Sequence, residues 1–451
     1  MTNAASKLVC SCSEFIHPWT DDCYKSIVGV LFQGFSHSVR IYSVVYLLSL
    51  LMKQRIPNTT DIRKTILGML QSSAFLTTNA AAFFMFVCIL RNILGKFTCG
   101  TLTFYPAFLS SLAAILIERP VRRPLLSLYV ANNATETVWR MMESRGYVSS
   151  LPSGQVLIFG LSVSILLFVY RLGMHKGVAK DSLFDILKMF VGKTEEGPIK
   201  KLVQVTPPTE ARTSNNFNSV SGLVQIYSNF IEKLKSNHAC CPHKGNCIHY
   251  AVMGGIRPLV GGIGLQILLK LVLSIKKVVQ LKLNVKKVFL NRSTIKLGVF
   301  LGGFSFLYKA LSCSMRHVVG KDHALFALPA GFIASTAFFQ YPDTTVALYV
   351  MWKMLQIAYN IGIDKGVVPK VPGFTIFLYC VSTATLFHAA IFEPKNLRSS
   401  YWKFLQSLSG YRVSYINREV IDVFGLKTSE AVSEILKNTG ELGKAVKYAM
   451  A

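Results

Sequence analysis

The stretch LGVFLGGFSFLYKALSCSMRHVVGKDHALFALPAGFIASTAFF, residues 297–339, holds two apolar helical segments around a short basic turn. Gly298 and Gly302, with Gly303 beside them, form a small-xxx-small pattern. Such a face lets a second helix approach closely where lipid supplies no hydrophobic drive. Lys309 and Arg316, seven apart, share one helical face. Gly320, Lys321 and Asp322 then make a turn, and Gly331 and Ser335, four apart, mark a second helix with a small-residue face. The pattern predicts a membrane helical hairpin.

Working outward, the stretch has a counterpart. RNILGK at residues 91–96 returns as RHVVGK at 316–321, an offset of 225. LSLYV ending at Val130 returns as VALYV ending at Val350, and Gly146 returns as Gly366, both at an offset of 220. Cys23 and Cys247 precede apolar stretches 224 apart. A duplicated apolar unit of this size is a membrane-protein trait rather than a soluble solenoid repeat.

Composition agrees, with 51% hydrophobic residues, 16% charged and a mean hydropathy of +0.40. A span needs ~20 apolar residues. Six stretches fit well (27–52, 66–90, 155–170, 251–275, 295–313, 375–391), and four are shorter or more polar (102–117, 125–141, 325–339, 346–363). The expected fold is an all-α polytopic membrane protein of two tandem repeats, with 4–5 hydrophobic helices each and 8–10 in total. Four spans per repeat would make the copies parallel, five inverted. Asn132, Asn133 and Glu136 make 125–141 the ambiguous member.

The net charge of +27 lies mostly in loops and points to membrane lipids with anionic headgroups as partner, and not to nucleic acid. Lys53, Arg55, Arg63 and Lys64 on one side of a span oppose Arg91 and Lys96 on the other, so no orientation follows. The first 26 residues, with Glu14, Asp21 and Asp22, resemble neither a signal nor a transit peptide. The expected organisation is a cysteine-containing segment (1–26), a first membrane repeat (27–191), a polar linker with a Cys/His cluster (192–246), a second repeat (247–393) and an extramembrane tail (394–451). Within the linker, 192–221 reads as a solvated connector. Residues 270–296 carry eight positive charges and no acidic one, which suits an interfacial helix on anionic lipid or an ordinary basic loop.

Two groups of residues can carry chemistry. Cys240, Cys241, His243, Cys247 and His249 precede the second repeat, as Cys10, Cys12, His17 and Cys23 precede the first. Nothing in the chain demands a cofactor. Zinc is the metal such donors can take, in one shared site or two; disulfides and free thiols are the alternatives. The second group is ionisable residues in apolar stretches: His37, Arg40, Glu136, Lys309, Arg316, Lys353 and His388. Arg40, Lys309, Arg316 and Lys353 are the candidates to line a path for a carboxylate or headgroup. The alternative is snorkelling or pairing within the bundle, such as Glu136 with a neighbouring arginine. His17/Asp22 and His317/Asp322 fit an acyltransferase His-x4-Asp spacing, but no companion block follows. Phosphate-binding loops, nucleophile elbows and HExxH are missing from the sequence, so no enzyme is expected.

The glycine-rich helix, Tyr308-Lys309, Cys313, Arg316, the Gly-Lys-Asp turn and the Ala-Gly helix resemble the channel-forming family of mitochondrial inner-membrane protein translocases. Residues 247–369 are more similar still to the peroxisomal membrane protein 4 family. SSAFLTTNAAAFFMFVCILRNILGKF, AAILIERPVRRPLLSLYVANNATETVWRM and SYWKFLQSLSGYRVSYINREVIDVFG, together with the leading cysteines, resemble the transmembrane protein 135 family. These resemblances imply a multi-pass protein of peroxisomal and mitochondrial membranes. Its implied roles are organelle organisation, the mitochondrial fission/fusion balance and lipid metabolism, with a dynamin-related GTPase of the fission machinery as partner. A lipid or fatty-acid transporter using a cleft between the repeats is the alternative. Phe84 stands where Lys309 does, so a lysine-lined path would be asymmetric.

Overall fold

The structure is a computed structural model that describes residues 8–51, 58–177, 181–198, 240–243, 245–273 and 292–439. Its helices are α1 Cys12–Phe15, α2 Cys23–Leu51, α3 Thr59–Leu94, α4 Tyr105–Ile117, α5 Arg123–Ser144, α6 Gly154–Leu172, α7 Ser182–Val191, α8 Cys247–Leu273, α9 Arg292–Val319, α10 Ala327–Ala334, α11 Thr344–Asp364, α12 Phe374–Phe392, α13 Ser399–Leu408, α14 Glu419–Asp422 and α15 Thr428–Thr439. Local chemistry sets their ends. Asn58 accepts from the Thr59 N–H to start α3, and Gly95 at φ +67° ends it. Over its described residues, every one of the ten apolar stretches lies in helix or helical turn.

Two compact units result, one of residues 1–150 with 371–451 and one of 151–370. In the first, α2 packs on α3, α3 on α4, and α12 on both α4 and α5. Phe75, Phe83, Phe84, Tyr379, Phe387 and Trp402 are among its buried residues. In the second, α8 packs on α9 while α6 packs on α10 and α11, around Phe159, Phe300, Phe304 and Phe338. The expected glycines make these contacts. A Cβ on Gly298 would lie 2.6 Å from the Leu259 carbonyl oxygen, and one on Gly302 would lie 2.6 Å from Leu259 Cβ, so α8 and α9 touch backbone to backbone. Gly331 faces α6 instead, where a Cβ would meet Ser164 Cα at 3.1 Å. Gly303 meets Ala337 at an ordinary 3.4 Å.

Three pairs of helices match in length or in the position of an end. Helices α6 and α12 are both 19 residues long and 220 apart at each end; α7 and α13 are both 10 residues long and 217 apart. The C-terminal ends of α3 and α9 are 225 apart. The packing units nevertheless cut across the tandem segments. The last helices of the first half, α6 and α7, complete the second unit, and the last helices of the second half, α12 and α13, complete the first.

Among the described residues, seven helices are long and apolar enough to cross a membrane: those at Thr59–Leu94, Gly100–Ile117, Gly154–Leu172, Cys247–Leu271, Thr294–Val319, Thr344–Asp364 and Phe374–Phe392. Only 17% of the most apolar window of α8, and likewise of α11, is covered by protein. Apolar helices so little buried need lipid as their solvent, and the chain is a multi-pass membrane protein. The remaining stretches are also helical, but α2 carries Gln33, His37 and Arg40, α5 carries Asn132, Asn133 and Glu136, and 325–339 changes from α-helix to 3-10 turn after Ala334.

One expectation about the polar segments needs correction. The connector expected from Gly192 does not begin there, because Lys193–Glu195 is a helical turn with Glu195 fully buried in an ion network. Its remainder, 199–221, and the basic stretch 274–291 lie outside the described residues. The tail packs on the first unit, with Tyr401, Trp402, Leu405 and Leu408 of α13 buried there.

Candidate functional site

Each unit gathers thiols and an imidazole at one end of a helix pair. In the first, Cys12 sits on α1, whose start is fixed by a reciprocal Ser11–Glu14 capping box. His17 follows, Cys23 opens α2, and Cys88 lies near the C-terminal end of α3. One donor atom from each lies within 4.8 Å of all the others. The His17 ring is fully buried, with Nε2 3.3 Å from Cys23 Sγ and Nδ1 2.8 Å from the Thr20 carbonyl oxygen. Since that oxygen only accepts, Nδ1 carries the proton and Nε2 presents its lone pair to the thiols.

The second unit repeats the arrangement with Cys241, His243, Cys247 and Cys313, again within 4.8 Å. Cys241 Sγ is 3.7 Å from Cys247 Sγ, and His243 Nε2 is 3.3 Å from Cys313 Sγ. The His243 ring stacks on Tyr250 with centroids 4.2 Å apart. In each cluster one thiol is held acidic. Cys12 is lowered to about 7, chiefly by its hydrogen bond with Cys88, and Cys241 to about 4, chiefly by its hydrogen bond with Cys313.

The expected donor sets therefore change membership. Cys240 turns away to donate to the Gly320 carbonyl oxygen at 2.7 Å, and His249 is exposed. Cys10 is outside the first cluster as well. Their places are taken by Cys88 and Cys313, each near the C-terminal end of the second helix of its pair, α3 or α9. A signal was present: Cys88 and Cys313 are 225 apart, the same offset as Arg91 and Arg316. Among the described residues no two cysteines are joined in a disulfide.

Three of the four ionisable path candidates, Arg316, Lys353 and Lys309, are held by neighbouring groups. Arg316, fully buried, donates to both oxygens of Glu195 (one contact at 3.0 Å) and through Nε to Asp322 at 2.9 Å. Arg171 completes the network, 2.9 Å from Glu195 and in contact with Asp322. Two guanidiniums and two carboxylates cancel, and Arg316 and Arg171 hold the Glu195 carboxyl below its usual range although burial pushes it up. Lys353 pairs with Asp181 at 2.7 Å. Lys309 is buried with Nζ 5.2 Å from the Tyr250 ring centroid and 3.5 Å from the Gly254 carbonyl oxygen. Arg40 belongs to the other unit and is exposed. Glu136 pairs with Arg140 at 2.5 Å and Arg398 at 2.6 Å, the neighbouring-arginine arrangement expected for it.

Residues 9–143 match the family described as the N-terminal cysteine-rich region of Transmembrane protein 135. Over that stretch the chain is similar to transmembrane protein 135. All four donors of the first cluster fall inside the matched region. No solved structure matches the chain.

Proposed function

We propose that this chain is a non-enzymatic regulator in peroxisomal and mitochondrial membranes that acts on organelle organisation, the mitochondrial fission/fusion balance and lipid metabolism, with a dynamin-related GTPase of the fission machinery as partner. The match of residues 9–143 to the cysteine-rich region of Transmembrane protein 135 supports the reading. The side chains support it too: Arg316, Arg171, Glu195 and Asp322 neutralise one another and Lys353 holds Asp181, so these charges serve packing.

One observation favours the second reading, a lipid or fatty-acid transporter. A cavity of about 170 Å³ in the first unit is lined by Tyr42, Phe75, Leu76, Tyr129, Tyr379 and Phe404 and others, with Asn79 as a polar point. Small-molecule sites run to about 300–1,000 Å³, so this space suits part of an acyl chain. The discriminating experiment has two arms: mitochondrial length and peroxisome number in cells lacking the protein and re-expressing it, and flux of labelled fatty acid through proteoliposomes. Restored shape by Lys309→Gln, Lys353→Gln at equal protein level, with no flux by the wild type, supports the regulator. Saturable flux that these substitutions abolish overturns it in favour of transport.

A further inference from the structure

We propose that the chain carries two structural zinc sites, one per unit, formed by Cys12, His17, Cys23 and Cys88 and by Cys241, His243, Cys247 and Cys313. Each set supplies four protein donors within 4.8 Å, three thiols and one imidazole. With Zn–S of about 2.3 Å and Zn–N of about 2.1 Å, the edges of a tetrahedron are about 3.8 Å between sulfurs and about 3.6 Å between sulfur and nitrogen. The recorded separations are 3.7 Å for Cys241 and Cys247, and 3.3 Å for both His17–Cys23 and His243–Cys313, within a few tenths of those edges.

The outer contacts suit a metal as well. His17 is oriented by its Nδ1–H on the Thr20 carbonyl, the usual support for a metal-binding imidazole. Three thiolates and one neutral imidazole around Zn²⁺ leave a net charge of −1, and an arginine follows the helix cysteine by three residues in each half, Arg91 after Cys88 and Arg316 after Cys313. Residues three apart on a helix share a face, so each arginine lies on the side of its helix that carries the site cysteine, although Arg316 is already neutralised by Glu195 and Asp322. Arg91 is held there by a 2.6 Å hydrogen bond from Nε to the Cys10 carbonyl oxygen. His317 Nε2, 3.6 Å from Cys247 Sγ, is an outer neighbour of the second site.

The donors occur in the same chain order, Cys-His-Cys-Cys, in both halves. Four protein ligands close the coordination sphere, which makes a zinc there structural and leaves no open position for chemistry. Each ion would fasten the segment ahead of a helix pair to the start of its first helix and the end of its second: α2 with α3, and α8 with α9.

The test is zinc content of the full-length protein purified in detergent without chelator. Two zinc ions per chain are expected, one in Cys88→Ser, one in Cys313→Ser and about none in the double variant, while Cys10→Ser and Cys240→Ser retain two. Should the variants fail to fold, the wild type decides through cobalt exchange and alkylation. Tetrahedral thiolate–cobalt absorption, with Cys12, Cys23, Cys88, Cys241, Cys247 and Cys313 protected until chelator is added, supports the sites. The proposal is overturned by wild-type protein that holds no zinc and alkylates freely at these six thiols, by a Cys12–Cys23 or Cys241–Cys247 disulfide in native membranes, or by zinc content that either helix-cysteine variant leaves unchanged.

Discussion

The two units place similar helices around different interiors. At an offset of 225, Asp322 corresponds to Phe97 and Lys309 to Phe84; at an offset of 220, Arg171 corresponds to Ile391. In the second unit Arg316 is therefore neutralised by Glu195 and Asp322, whereas in the first the matching Arg91 lies over the Phe97 ring, 5.6 Å from its centroid. Glu195 itself corresponds, at an offset of 219, to Ser414, a hydroxyl that accepts from Gln406 at 3.0 Å. One helical frame thus tolerates either a neutral ion cluster or an aromatic and aliphatic filling. The ionic solution is brittle, because burying several charges is sustained only while all partners are present.

That difference can be broken at its centre. Glu195→Gln leaves two buried guanidiniums to share Asp322, one positive charge uncompensated, and is expected to cost about 3–5 kcal/mol. Ser414→Ala, its counterpart, removes one hydrogen bond and should cost about 1 kcal/mol. Chemical denaturation in detergent, read by a probe in each unit, checks this; equal losses would show that the ion cluster does not set the second unit's stability.

A smaller effect sharpens the comparison at the helix seam. Gly302 corresponds, at the offset of 225, to Thr77, which donates to the Ser73 carbonyl oxygen at 2.7 Å. Gly302→Thr imports the first unit's residue into a contact where even a Cβ would lie 2.8 Å from the Gly255 carbonyl oxygen. Overpacking of this kind costs about 1–3 kcal/mol, and Gly303→Ala beside it should be nearly silent. Melting temperatures of the two variants decide whether close backbone approach is confined to the Gly302 face.

The smallest expected difference is in pH response. Glu196 is held at about 2 instead of 4.5, chiefly by the Lys188 hydrogen bond at 2.8 Å, with His175 and Lys176 assisting, while Tyr415 occupies the corresponding place in the first unit. A depressed carboxyl stabilises fully above its unfolded value of 4.5 and loses that contribution as pH falls toward 2. The second unit should lose stability across that window, and Glu196→Gln should flatten its profile there; an unchanged profile would show that Lys188 and His175 do not act through Glu196.

Much of this architecture is determined by sequence alone. Apolar length against bilayer thickness specifies helices in a membrane, the small residues at Gly298 and Gly302 specify a close helix contact, and the offsets of 220 to 225 align the halves. Local chemistry also makes Cys12, His17 and Cys23, and Cys241, His243 and Cys247, candidate donors. Three matters were decided only in three dimensions. Helices α6 and α12 are apolar enough to pack against either half, so side-chain complementarity, invisible to periodicity, chose which unit each completes. The fourth donors, Cys88 and Cys313, read in isolation as small apolar residues of a span until folding returns the end of each helix pair to its start. Glu195 sits in a polar run that reads as solvated, and it is core because Arg171 and Arg316 arrive from distant helices to neutralise it.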